Sequence, residues 1–192
     1  MFPAHLYNLT PDEIDALSAR VAGPFSVAAQ AMISSPQPEH LLAGFYLPLA
    51  DYLQRFLAGH AFTLMVGVNG AQGAGKSTLC ELLRIVLQYG FEKKTVVVSI
   101  DDLYLTRNER AALARDVHPL LQTRGVPGTH DIALGQSLFD RLQQLGEAET
   151  ISCPRFDKAH DDRSPQQKWS SVTGPVDIVL FEGWCVGAVP QP

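Results

Sequence analysis

The chain has no run of apolar residues that approaches the roughly 18 needed for a membrane-spanning helix, which excludes a membrane role by that route. Its opening, Met1-Phe2-Pro3-Ala4-His5, lacks the basic-then-apolar order of a secretion leader, so the expected location is the cytoplasm. Cysteine is scarce. Cys80, Cys153 and Cys185 are odd in number and far apart, with no C-x-x-C pair and no histidine cluster of zinc-site spacing. They read as buried, reduced thiols. Positive charge is not in excess: 15 Lys and Arg face 20 Asp and Glu, for a net charge of −5. No overall field attracts nucleic acid, and a small anionic ligand would need a local basic pocket. Internal repeats and low-complexity tracts are also absent. With 46% hydrophobic residues in 192, the chain can still bury a full core.

Against that background one motif stands out. Gly70-Ala71-Gln72-Gly73-Ala74-Gly75-Lys76-Ser77 matches G-x-x-x-x-G-K-[ST], the loop that cradles nucleotide phosphates. It lies between an apolar run, Thr63 to Val68, and a segment in which Leu79, Leu82, Leu83, Val86 and Leu87 recur at helical spacing. Glycines let the backbone turn its N–H groups toward phosphate oxygens, and the following helix adds the positive end of its dipole. Lys76 is expected to neutralise the β- and γ-phosphates, Ser77 to offer its hydroxyl to Mg²⁺, and Thr78 to complete the binding loop. The alternative is a glycine-rich turn with Lys76 merely solvated.

Around the motif the chain reads as alternating strands and helices. Residues 1–60 form an expected helical segment that covers the core. Thr10-Pro11-Asp12-Glu13 is a capping box that opens a helix from Pro11 to about Ala22. Pro24 and Ser34-Ser35-Pro36-Gln37-Pro38 then punctuate the chain, and Leu41 to Leu57 repeats helically, with Pro48 expected to kink or restart the helix. Residues 61–192 form the expected core. Thr95 to Ile100 and Val176 to Phe181 read as further buried strands, and Ile151 to Cys153 as a short one. Thr106 with Glu109 opens a helix to about Asp116, and Asp131 caps another from Ile132 to about Leu145. Pro154 to Pro165 is charged and shows no strong periodicity. This pattern predicts an α/β fold, a parallel sheet flanked by helices, with ligands at the carboxyl ends of its strands.

Those strand ends carry acids. Asp101 and Asp102 follow the second strand, and Glu182 closes the last. Phosphoryl transfer to an alcohol needs a phosphate cradle, a metal ion and a carboxylate for the departing proton. Neighbouring parallel strands could aim Asp101 and Glu182 at the γ-phosphate. Each of the three could instead be a solvated strand-end acid.

Ser99-Ile100-Asp101-Asp102-Leu103-Tyr104 resembles the S-x-D-x-F-Y segment of P-loop kinases that phosphorylate small alcohols, among them uridine kinase, pantothenate kinase and phosphoribulokinase. Three further segments resemble the D-glycerate 3-kinase family and its bacterial and fungal relatives. These are Arg124-Gly125-Val126-Pro127-Gly128-Thr129-His130-Asp131, Pro154-Arg155-Phe156-Asp157-Lys158 with Asp162-Arg163, and Phe181-Glu182-Gly183-Trp184 with Gly187. The resemblance runs from about Leu64 to the end.

It implies a P-loop kinase fold, ATP and Mg²⁺ as cofactors, Asp101 as base with Lys76 beside it, and Ser77, Glu182 and Asp101 around the metal. It also implies an acceptor pocket drawing on Asp102, Tyr104, Arg124, His130, Lys158 and Arg163. A basic pocket would suit a hydroxy acid, since arginine clamps a carboxylate through two hydrogen bonds. Arg155, Lys158 and Arg163 among Asp157, Asp161 and Asp162 could equally form a solvated charge cluster. Trp184 reads as packing or pocket wall. Related kinases continue past the point matching Pro192 with more strands and a lid, so the core is expected to be C-terminally incomplete. Phosphorylation of D-glycerate is the leading expectation. A different small alcohol as acceptor, or an ATP-binding regulator without transfer, stands beside it. Neither nucleic acid nor membrane is expected as a partner, and the oligomeric state is unread.

Overall fold

In a computed structural model, residues 2–33, 38–60 and 62–189 are described. After a short 3₁₀ turn, α1 runs Pro11–Met32, opened by a reciprocal capping box between Thr10 and Glu13. The helix passes straight through Pro24, ten residues beyond the expected end near Ala22. Proline there forfeits one backbone hydrogen bond. Full burial of Val21, Phe25 and Ala29 against the core offsets that loss. The break expected at Ser34 to Gln37 lies outside the described residues.

Next, α2 (Pro38–Leu41), a π-helical turn (Leu42–Tyr46) and α3 (Leu47–Ala58) form one continuous rod. Pro48 falls in the first turn of α3, where its missing N–H costs little, so the regular helix restarts there after the π-helical turn.

The core begins with β1 (Leu64–Asn69), then α4 (Lys76–Phe91) and β2 (Thr95–Ser99). A 3₁₀ turn, Ile100–Leu103, leads to α5 (Arg107–Asp116), which has its own Thr106–Glu109 capping box, and to α6 (Ile132–Gln144), capped by Asp131. Short strands follow: β3 (Thr150–Cys153), β4 (Phe156–Asp157), β5 (Asp162–Arg163) and β6 (Ser170–Thr173), and then the longer β7 (Ile178–Gly183).

The main sheet is parallel, in the order β1-β7-β2, so the last strand inserts between the first two. Alternation along its strands feeds two cores. Leu64, Ile178 and Leu180 face α1, α3 and α4, whereas Val96, Val98 and Val179 face α6 and β3. Helices thus cover both faces, as the expected α/β class requires. Ile178, Val179 and Leu180 are fully buried. Each such side chain contributes about 1.5–3 kcal/mol by burial, which makes the central strand the fold's principal anchor.

Beside this sheet, β3 and β6 pair antiparallel, and β4 with β5 makes a small hairpin. The hairpin and β6 were not expected: the hairpin lies in the charged, weakly patterned stretch, and β6 follows it in a segment where no strand was read. Among the described residues no helix is long and apolar enough to cross a membrane.

Candidate active site

Register places the chemistry. In the central strand Glu182 lies level with Val68 on one side and Ser99 on the other. The phosphate-type loop starts two residues after Val68, and Asp101 stands two residues after Ser99. All three features therefore meet at the carboxyl edge of the sheet.

The loop needs its glycines. Gly73 and Gly75 have φ of 76° and 84°, in the left-handed region, and Gly75 forms the N-cap of α4. Lys76 arches back over the loop, its Nζ donating to the Ala71 carbonyl at 3.0 Å. Ser77 donates its Oγ proton to Glu182 Oε1 at 2.9 Å. Glu182 is only 5% exposed, so this bond matters: it gives a buried carboxylate a donor. Among the described residues no three His, Cys, Asp or Glu side chains cluster as a metal cage. A hydroxyl and a carboxylate at one helix start are nonetheless a fitting partial donor set for a hard cation that takes its other ligands from phosphate and water.

Asp101 and Asp102 sit in the 3₁₀ turn rather than on the strand itself, and the Ser99 hydroxyl accepts from the Asp101 N–H. The two acids part ways there. Asp101 Oδ2 accepts from Lys158 Nζ at 2.7 Å, at the mouth of the cleft. Asp102 is used structurally, accepting from Arg155 and from the Phe156 N–H, each at 3.0 Å, and so ties β4 to the turn. Ser77, Thr78, Ser99, Asp101, Lys158 and Glu182 line a single cleft of about 890 Å³.

Next to Asp101, Tyr104 is 3% exposed and stacks on His130, with ring centroids 4.4 Å apart. Burial pushes the Tyr104 hydroxyl up to about 12, and the Asp101 charge adds to the effect. Burial also holds His130 below its ordinary range, against the opposing pull of Asp101.

The two pocket arginines stand further back. Arg124 pairs with Asp161 and lies over the Phe156 ring. Arg163 donates to Asp131 Oδ2 at 2.8 Å and to the Tyr104 carbonyl at 2.9 Å. In this arrangement both guanidinium groups hold loops together. Lys158 is the basic side chain that reaches the cleft from this segment alongside Arg155.

No protein-family model matches the chain. Individual proteins do. D-glycerate 3-kinase, chloroplastic, of Arabidopsis thaliana is 36% identical over 140 residues, 67% of this chain and 30% of that protein. The Saccharomyces cerevisiae protein named "Probable ATP-dependent kinase TDA10" is 35% identical over 146 residues, 70% of this chain and 50% of that one. Among solved structures, D-glycerate 3-kinase from Cryptococcus neoformans superposes with a TM-score of 0.68 at 31% identity, over 77% of this chain and 54% of that one. The chain belongs with the P-loop kinases related to D-glycerate 3-kinase. It spans half or less of the length of the two curated relatives named here.

This P-loop kinase core also contains a site residue that its sequence did not flag. Arg110 is fully buried and donates to the carbonyls of Leu105, Gln122 and Asp161 while pairing with the Asp161 carboxylate at 3.1 Å. It joins the segments on either side of Tyr104 and Arg124. A charged residue on an otherwise polar helix looks like a solvated surface residue, so the sequence offered no signal for it.

Proposed function

We propose that this domain transfers the γ-phosphoryl group of ATP to the hydroxyl of a small hydroxy acid, with D-glycerate as the best candidate. The observation that carries this reading is the meeting of Ser77 and Thr78, Glu182 and Asp101 in one cleft. A phosphate cradle and an alcohol-activating carboxylate are the parts that in-line transfer requires. ATP as donor and glycerate as acceptor are supported by the names of the relatives.

In this mechanism the N–H groups of Gly73 to Ser77 and the Lys76 ammonium hold the phosphate oxygens. Ser77 and Glu182, with Asp101 as a further candidate ligand, would hold Mg²⁺; the ion would neutralise phosphate charge and align the leaving group. Asp101 accepts the proton of the acceptor hydroxyl as its oxygen attacks phosphorus. Lys158, paired with Asp101 in this state, is placed to pass its charge to the incoming anion. Tyr104, His130 and Asp102 shape the acceptor side, with Arg124 and Arg163 bracing it from behind.

The test is ADP release from Mg-ATP with D-glycerate, pantothenate or uridine, using Lys76→Ala as the blank. Glycerate-dependent release that the blank lacks supports the reading. Release with another acceptor replaces the substrate, and release with none reduces the claim to nucleotide binding.

A further inference from the structure

Among the described residues, three cationic side chains line the cleft that holds Asp101: Arg84, Arg155 and Lys158. They differ in what they can still offer a ligand. Arg84 is spent on its own helix, with Nε and Nη2 donating to the two oxygens of Glu81 and Nη1 donating to Gln88 Oε1. Lys158 donates to Asp101 Oδ2 at 2.7 Å, so its charge is engaged with the acid that takes the proton. Arg155 is only partly used. Its Nη1 donates to Asp102 Oδ2 at 3.0 Å, while among the described residues its Nε and Nη2 make no hydrogen bond. The side chain is 55% exposed where it lines the cleft, so that edge is open to a ligand.

The residue is also held still. Its carbonyl accepts from the Ser164 N–H at 2.8 Å, and the next N–H along, that of Phe156, donates to Asp102 Oδ1 at 3.0 Å. Asp102 therefore fixes Arg155 twice, one oxygen on the guanidinium and the other on the adjoining backbone. Asp102 directly follows Asp101 in the chain, which sets the open guanidinium edge beside the proton acceptor. A guanidinium bound through one Nη keeps a side-on fork, Nε with Nη2, that matches the two oxygens of a carboxylate. Charge makes such a fork necessary. Asp101, Asp102 and Glu182 all line the cleft, so an anionic acceptor entering it meets three carboxylates and needs a fixed cation to stay. Arg124 and Arg163 do not line this cleft, and they are engaged with Asp161 and with Asp131.

We propose that Arg155 is the specificity-determining residue that makes the acceptor an acid: its Nε and Nη2 donate side by side to the carboxylate of the hydroxy acid. Asp102 is its positioning residue. This assignment rests on the kinase reading above and adds to it the residue that recognises the carboxylate.

The experiment compares D-glycerate with D-glyceramide, which keeps both hydroxyls and the shape of the acid but carries no charge. ADP release from Mg-ATP would give kcat and KM for each in wild type, Arg155→Gln and Arg155→Lys. Wild type is expected to favour the acid by about 10- to 100-fold in kcat/KM, the range for a charge-assisted hydrogen-bonded pair. Arg155→Gln should raise the KM for D-glycerate by about that factor, leave kcat within about threefold, and use acid and amide equally within about threefold. Arg155→Lys keeps the charge but loses the planar fork, so its KM for the acid should fall between the two. Preference for the acid retained in Arg155→Gln, or an unchanged KM in Arg155→Lys, would overturn the assignment while leaving the kinase reading intact. Equal use of acid and amide by wild type would overturn it too, since no carboxylate would then be recognised. Equal losses on acid and amide in Arg155→Gln would show a role other than carboxylate recognition and overturn it likewise. Release with neither compound in wild type would overturn the hydroxy-acid reading and this assignment with it.

Discussion

Replacing Arg110 with methionine should destabilise the domain far more than its helical, solvent-side sequence context suggests. The guanidinium is fully buried and satisfies three backbone carbonyls, at 3.2, 3.2 and 2.6 Å, together with the Asp161 carboxylate. Methionine roughly fills the volume but supplies no donor. Breaking a buried charge pair by removing one partner costs about 3–5 kcal/mol. Asp161 keeps 39% of its side-chain surface exposed and retains Arg124, so its own loss is partly repaid by water and the low end applies, about 3 kcal/mol. For a domain of this size that corresponds to a fall in Tm of roughly 6–12 °C, readable by circular dichroism or differential scanning fluorimetry. Arg110→Lys, which keeps the charge but loses the planar fork, should fall between methionine and wild type. A drop below about 2 °C for Arg110→Met would refute the claim that this residue holds the loops around the acceptor site.

Lys158→Ala should separate activity from stability: its pair with Asp101 is 61% and 30% exposed, so folding should change by about 0–1 kcal/mol while turnover falls at least tenfold. Equal turnover in both proteins would remove Lys158 from the reaction. Gly183→Ala should cost roughly 1–3 kcal/mol by urea unfolding, because its Cβ would overlap Ile100, and a change under about 0.5 kcal/mol would contradict the packing described. A pH effect follows from His130, whose folded form resists the proton below the ordinary value of 6.5. As pH falls below that value the unfolded chain binds the proton first, so this contribution to stability is present above about 6.5 and lost beneath it. His130→Gln should therefore lose less stability than wild type between pH 7.5 and 5.5, and parallel curves would contradict the assignment.

Much of this architecture was legible because local signals and tertiary needs coincided. The loop motif, both capping boxes and the β-branched runs each fix a local conformation, and the sheet aligned their ends as parallel pairing dictates. Where the two diverged, the sequence misled. Pro24 argued for a helix end, yet the burial of Val21, Phe25 and Ala29 carried α1 past it. The β4–β5 hairpin is held by Asp102 reaching Arg155 and Phe156, a contact across 54 residues that no local pattern encodes. In the site, Asp101 and Glu182 could be named from their strand ends and Ser77 from the loop motif. By contrast, the open guanidinium edge of Arg155 and the burial of Arg110 depend on which segments pack around them.

The most direct test of the account is turnover and nucleotide binding in Asp101→Asn beside wild type, with Mg-ATP and D-glycerate. Asparagine keeps the shape of the side chain but is a poor proton acceptor. The account predicts a loss of at least 10²-fold in glycerate-dependent ADP release, with ATP affinity within about threefold of wild type. Undiminished turnover would contradict the central claim that Asp101 takes the acceptor's proton.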